Sequence, residues 1–190
     1  VTPADVDRAR DAIASSSVLL LQLEIPLETV VHAVGYARER GLTVILNPAP
    51  AAELDLEILR QVDILVPNQE EVGRLSGVGY PVDPASAARM LIGTGARAVV
   101  VTLGAEGAVV VDRDGETEIE PFPAHAVDTT GAGDAFVGNL AHALAGGAAL
   151  DEAARFASAA AALSVEREGA QGSMPSGSET EALLTRVTPQ

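Results

Sequence analysis

The chain has 190 residues, 47% of them hydrophobic, enough for a core of ordinary domain size. A formal charge of −15 and a pI near 4.4 exclude a protein built to hold nucleic acid by charge, because it would repel the phosphate backbone. The absence of Cys excludes disulfides and thiolate metal sites.

Thr2 and Pro3 open a helix as N-cap and first helical residue, and the pattern predicts that it runs to about Ala14. Val18 to Leu23 is a continuous apolar run, expected to be a strand buried on both faces. It ends in Gln22-Leu23-Glu24, placing the Glu24 carboxylate at a strand's C-terminal tip, where open α/β sheets bind ligands. A helix from Leu27 to Arg40 stops at Gly41. The strand Thr43 to Leu46 ends in Asn47-Pro48-Ala49-Pro50, and a short helix covers about Leu54 to Gln61.

A third strand, Asp63 to Val66, ends in Pro67-Asn68-Gln69-Glu70-Glu71. Asn68 suits the N-cap of a helix reaching about Leu75. Asn68 and Glu71 lie on one face of that helix start and read two ways: as ligands of a hydrated Mg²⁺, or as a capping box. A helix spans Pro84 to Thr94, and the apolar strand Ala98 to Leu103 runs into Thr102-Leu103-Gly104-Ala105-Glu106-Gly107. Gly104 and Gly107 would let backbone amides approach a nucleotide phosphate, or simply make a tight turn. Ala108 to Val111 and Thr117 to Ile119 form an expected hairpin turning near Asp114-Gly115.

Val127 to Phe136 reads Val-Asp-Thr-Thr-Gly-Ala-Gly-Asp-Ala-Phe, at the mouth of a helix from about Ala132 to Leu144. Phe136, Leu140 and Leu144 share one face of that helix. The amides of Gly131 and Gly133 can approach an anion closely, and the positive end of the helix dipole points at the same place. Asp134 sits in the rim of this anion hole, better suited to taking a proton from an incoming hydroxyl than to holding phosphate. A P-loop would need Lys where Asp134 stands, and a dinucleotide fingerprint would need Gly at Phe136. The alternative reading is a glycine-rich helix cap with Asp134 stabilising the dipole. A helix from about Asp151 to Val165 follows, alanine throughout Ala157 to Ala162 except at Ser158. A glycine-rich stretch, Gly169 to Gly177, leads to a last helix near Ser178 to Val187.

Alternating strands and helices predict a doubly wound, mostly parallel α/β sheet with helices on both faces, in a single domain over residues 1–190. The three His have no partner at metal-ligand spacing and are read as structural or exposed. No apolar run reaches membrane-spanning length and no signal peptide opens the chain, so no membrane partner and a cytoplasmic location are expected.

Leu-Gln-Leu-Glu24, Asn47-Pro-Ala-Pro, Pro-Asn68-Gln-Glu-Glu71, Thr102-Leu-Gly-Ala-Glu-Gly107 and Asp128-Thr-Thr-Gly-Ala-Gly-Asp134, with Arg155-Phe-Ala and Gly169-Ala-Gln after them, closely resemble the ribokinase-like family of sugar and nucleoside kinases. The resemblance implies ATP-dependent phosphorylation of the 5-hydroxyl of D-ribose. It implies Asp134 as general base and the amides of Gly131, Ala132 and Gly133 as stabilisers of the transferring phosphoryl group. Glu24 and Asp134 would meet the sugar, and Asn68, Thr102, Gly104, Gly107, Gly133 and Ser158 the nucleotide. Asn68 and Glu71 would organise Mg²⁺. A K⁺ activator would lie among Asp128, Thr130, Ser164, Arg167, Gly169 and Ser173.

The family's N-terminal portion, with most of its sugar shell, its first strands and the β-lid through which it dimerises, has no counterpart in this chain. Little or no activity is therefore expected from the chain alone, with uncovered apolar faces and an open sheet edge. Kinases of fructose, deoxyribose or a nucleoside such as adenosine, and a non-catalytic nucleotide-binding module, stay open as alternatives.

Overall fold

The computed structural model describes residues 1–52 and 54–187. The chain divides into two compact units, one of Val1–Thr102 with Val109–Glu116, the other of Leu103–Ala108 with Thr117–Gln190.

The first unit opens with α1 (Pro3–Arg8) and α2 (Arg10–Ala14). Asp5 accepts from both the amide and the hydroxyl of Thr2, which fixes the start of α1. The single helix expected to Ala14 is instead broken at Ala9. Val6 is the one buried residue of α1 and α2 buries none, so little packing energy holds the two segments in one register.

The strands β1 (Val18–Leu21), β2 (Thr43–Leu46), β3 (Ile64–Leu65) and β4 (Ala98–Thr102) pair in parallel. With the hairpin strands β5 (Ala108–Asp112) and β6 (Glu116–Ile119), they form one sheet in the order β1-β2-β3-β4-β5-β6. Strands that follow one another in this way require helical crossovers. These are α3 (Leu27–Glu39), α4 (Leu56–Leu59), and the pair α5 (Gln69–Leu75) and α6 (Pro84–Thr94). Val44, Ile45, Leu46, Leu65, Val99, Val100 and Val101 are almost wholly buried and form the centre of the core, with Val30 and Val34 of α3 buried as completely.

β1 departs from expectation. All four of its residues are half-buried, because β1 ends the strand order and, among the described residues, is paired only to β2. At the opposite ends of the strands, Asp63 ties three elements together. It accepts from the Val44 amide at 2.9 Å and pairs with Arg38 and Arg97, each at 2.9 Å.

In the second unit, α7 (Ala132–Ala145) and α8 (Leu150–Ser164) pack along their length, and α9 (Gly177–Val187) rests on α8. Phe136, Val137 and Leu140 supply the large apolar groups of α7, and Ala153, Ala154, Ala157 and Ala160 give α8 a small-residue face that is fully buried. Ring contacts add to this packing: His142 meets Phe156 at 6.1 Å, and the Arg155 guanidinium lies 5.5 Å above Phe122. In the first unit, the turn between β5 and β6 is held by Asp112, whose Oδ1 accepts from the amides of Asp114 and Gly115.

Candidate active site

In the first unit, strand register builds a polar row. The pairing of Leu21 with Leu46 continues one residue further, where Gln22 Nε2 donates to Asn47 Oδ1 at 3.3 Å. The pairing of Leu46 with Leu65 likewise continues to Asn47 Nδ2, which donates to the Val66 carbonyl at 2.8 Å. The β3–β4 register ends in a bridge between Asn68 and Thr102, with the Thr102 amide donating to Pro67 at 3.0 Å. Gln22, Asn47, Asn68 and Thr102 therefore stand along the C-terminal edge of β1 to β4. Glu24 lies beyond the end of β1 and is exposed.

Asn68 and Glu71 form the capping box. Asn68 Oδ1 accepts from the Glu71 amide at 2.9 Å, and Glu71 Oε2 accepts from the Asn68 amide at 2.8 Å. Glu71 is buried, and desolvation pushes its carboxyl above the usual range; Glu70 adds like-charge repulsion, while the Asn68 amide pulls the other way. A divalent cation would relieve a carboxylate in that position. One carboxylate beside one amide suits Mg²⁺, which keeps several of its waters. Among the described residues no three His, Cys, Asp or Glu side chains gather as an all-protein metal cage. The capping and metal readings are compatible, since the cap engages one carboxylate oxygen.

In the second unit, the loop before α7 is pinned from two sides. The Val165 carbonyl accepts from the amides of Val127 at 2.7 Å and Asp128 at 3.1 Å. Asp128 Oδ1 accepts from the Thr130 amide and Oδ2 from the Gly169 amide, both at 2.9 Å. These bonds hold the Asp128 carboxyl below the usual carboxylate range, the Thr130 amide contributing most. Gly131 then caps α7 at φ 78°, a left-handed conformation that favours glycine. A Cβ there would also stand 3.3 Å from Met174 Cε and 3.4 Å from Ala170 Cα. Ala132 and Gly133 begin the helix, and Asp134 occupies its first turn, exposed. The N-terminus of a fourteen-residue helix thus meets a carboxylate, Asp134, with an exposed Gly133 beside it.

The remaining candidates in this unit are spread along the chain that follows. Ser158 is buried within α8. Ser164 and Ser173 are buried and their hydroxyls donate to Ala161 and Ala170 carbonyls, both within their own turns. The Arg167 side chain turns to Glu179 at 2.5 Å. Asp128, Thr130 and Gly169 are directly joined by hydrogen bonds, and all the donors these positions offer to a cation are oxygens, which suits a hard monovalent ion. Gly104 opens a short 3-10 turn, and Gly107 closes it at φ 90° with its amide donating to Gly104. A Cβ on Gly107 would fall 2.1 Å from the Ile119 carbonyl oxygen, so the turn admits no side chain. His32 pairs with Asp7, His142 meets the Phe156 ring, and His125 is exposed.

Two positions were missed from sequence: Met174, which crowds Gly131 together with Ala170 of the Gly169-Ala-Gln stretch, and Glu179, which holds Arg167. Ser176-Gly-Ser-Glu179 has the spacing of a capping box and could have revealed the last.

Four parallel strands joined by helices, with polar residues along their C-terminal ends, define an α/β protein, and in open α/β sheets that edge is where ligands bind. The chain belongs to the pfkB family of carbohydrate kinases, whose model matches residues 5–177. A ribokinase of Haemophilus influenzae is 43% identical over 182 residues, covering 94% of this chain and 59% of that protein. A deoxyribokinase of Salmonella typhi is 41% identical over 181 residues, covering 93% of this chain and 58% of that protein. The Arabidopsis thaliana ribokinase structure, complexed with ribose and ATP, is 32% identical with a TM-score of 0.89 and covers 94% of this chain and 59% of that one. This chain therefore spans somewhat under two thirds of the relatives it matches.

Proposed function

We propose that the chain is the nucleotide-binding and catalytic portion of a kinase that transfers the γ-phosphoryl group of ATP to the 5-hydroxyl of D-ribose. The observation that carries the reading is the turn at Gly131, left-handed and crowded by Ala170 and Met174, opening α7 with Asp134 in its first turn, inside the region matched to the pfkB family. In this reading Asp134 accepts the proton of the attacking hydroxyl, a contribution of about 10²–10⁴ in rate. The amides of Gly131, Ala132 and Gly133 meet the charge on the transferring group. Glu24 holds the sugar. Asn68, Thr102, Gly104, Gly107 and Ser158 line the nucleotide.

Asn68 and Glu71 would hold Mg²⁺ with its waters. Asp128, Thr130 and the oxygens of Ser164, Arg167, Gly169 and Ser173 would hold K⁺. Both ions supply positive charge against the phosphates when bound. The reading includes a cytoplasmic location and, for a complete protein, a homodimer.

The 41% identity to a deoxyribokinase favours a second reading, in which the accepting sugar is 2-deoxyribose. The two differ in one hydroxyl, which a site built to hydrogen-bond it distinguishes strongly.

Calorimetric titration of the chain with ATP and Mg²⁺, with and without K⁺, tests the nucleotide half. Saturable binding strengthened by K⁺ supports the reading, and absence of binding overturns it for this chain. Competition between ribose and 2-deoxyribose in a phosphoryl-transfer assay on the complete protein separates the two sugars. There, Asp134→Asn should remove turnover while leaving ATP affinity within about threefold, since a base acts on the transition state rather than on bound nucleotide.

A further inference from the structure

The second unit contains a carboxylate that plays no part in the proposed chemistry. Glu179, in the first turn of α9, accepts at Oε2 from the amide and the hydroxyl of Ser176, both at 2.8 Å. At Oε1 it accepts from Arg167 Nη2 at 2.5 Å. Arg167 stands near the start of the segment that follows α8, and Ser176 stands at its end. One carboxylate therefore closes residues 167–176 into a loop.

The middle of that loop carries the groups that meet the glycine turn. The Gly169 amide donates to Asp128 Oδ2, and Ala170 and Met174 lie against Gly131. The loop's own bend is kept by Ser173, whose amide and hydroxyl both donate to the Ala170 carbonyl. The clasp is anchored as well, because α9 rests on α8 and buries Thr180, whose hydroxyl donates to the Ser176 carbonyl at 3.2 Å.

We infer that Glu179 is a positioning residue: by joining Arg167 to Ser176 it sets how the Gly169–Met174 segment presses on the Asp128–Gly131 turn, and so how the amides at the start of α7 are aimed. An isolated exposed ion pair would contribute little. Here three donors converge on one carboxylate. They hold its carboxyl down at about 2, the Ser176 amide contributing most, then Arg167 and the Ser176 hydroxyl.

The part of this inference that concerns ligand affinity rests on the kinase reading; the part that concerns geometry does not. The test uses the full chain, ¹⁵N-labelled, with Mg-ATP as the probe ligand. Glu179→Gln should displace the amide resonances of Thr130, Gly131 and Gly169 and weaken Mg-ATP binding about tenfold. Glu181→Gln, the same change of charge at an exposed position on α9, should do neither. Arg167→Met cuts the link to the loop's start but leaves the Ser176 cap. It should move the same resonances by a smaller amount, and it carries the test should Glu179→Gln fail to fold.

Unmoved Thr130 and Gly169 amides in both variants would overturn the inference, as would equal movement in Glu181→Gln. Unchanged affinity in a chain that binds Mg-ATP would overturn it too. If the parent chain binds no Mg-ATP while the amides respond as described, the clasp stands and the kinase reading of the turn falls.

Discussion

At Gly131 two independent costs fall on any side chain. The left-handed backbone, φ 78°, strains an L-residue by about 1–2 kcal/mol, and Met174 Cε must retreat from 3.3 Å. Gly131→Ala should lower the thermal midpoint by about 2–8 °C, and in a chain that binds Mg-ATP it should weaken that binding as well. Differential scanning calorimetry reads the first effect; an unchanged midpoint would mean the turn relaxes freely. Asn47 offers a cleaner separation of donor from acceptor. Its Nδ2 serves the Val66 carbonyl and its Oδ1 serves Gln22, joining the ends of β1, β2 and β3. Asn47→Asp keeps an acceptor for Gln22 and removes the donor to Val66, whereas Asn47→Leu removes both. The Val66 residue is almost wholly buried, so each variant should cost about 1–3 kcal/mol in urea unfolding. A cost seen only in Asn47→Leu would assign the stabilisation to Gln22.

Elements were legible in the sequence where local chemistry sets both ends. The helix Pro84–Thr94 has Asp83 as cap, accepting from Ser86, Pro84 in the first turn and Gly95 after the last, and it was read to the residue. The strand Thr43–Leu46 was equally clear, between Gly41 and Asn47-Pro48. What was misread depends on tertiary position. Burial of β1 is a consequence of strand order, which no periodicity encodes, and the break at Ala9 follows from how little α1 and α2 bury. Of the polar row, Asn47, Asn68 and Thr102 were legible because a polar residue stands at or just after the end of each strand's apolar run, whereas at β1 it is Gln22 rather than Glu24 that joins the row. The Glu179 clasp was not, because residues 169–177 read as a glycine-rich lead-in rather than as a loop closed at both ends.

Two element-scale predictions follow from carboxylates at helix starts. The carboxyl of Glu71 is raised by burial, so the charged form costs stability as pH rises through its folded value. Glu71→Gln keeps an oxygen for the capping box and removes the buried charge. It should hold or raise the thermal midpoint at pH 7 while weakening the Mg²⁺ dependence of ATP binding; a lowered midpoint would show that the charge itself supports the fold. Glu179 has the opposite sign. Its folded value is about 2 against an ordinary 4.5, so its contribution is fully present above pH 4.5 and is lost as pH falls toward 2. The difference in urea midpoint between the parent and Glu179→Gln should therefore be largest at neutral pH and close across that window. A difference that persists at pH 2 would place the effect in packing rather than in the charge.

Across the whole molecule the charge balance is lopsided: 27 acidic residues face 12 basic ones, all of them Arg. Many of those Arg are engaged locally. Arg8, Arg10, Arg74, Arg89 and Arg167 each pair with a carboxylate, and Arg38 and Arg97 share Asp63. Salt acts on this arrangement in two opposing ways. It weakens the exposed pairs, each worth about 0–1 kcal/mol, and it screens repulsion among the carboxylates left over. With 27 acidic residues against 12 basic ones, the negative charge in excess outnumbers any pairs the arginines can make. Its repulsion is summed over the whole surface, so screening of repulsion should win. The urea midpoint is expected to rise when NaCl is raised from about 0.02 M to about 0.5 M, a range over which the Debye length falls from beyond 10 Å to a few ångströms. The Asp63 node, part-buried, should lose little over the same range. A midpoint that falls with salt would reverse the argument and make the arginine pairs, rather than repulsion among the excess carboxylates, the dominant electrostatic contribution to stability.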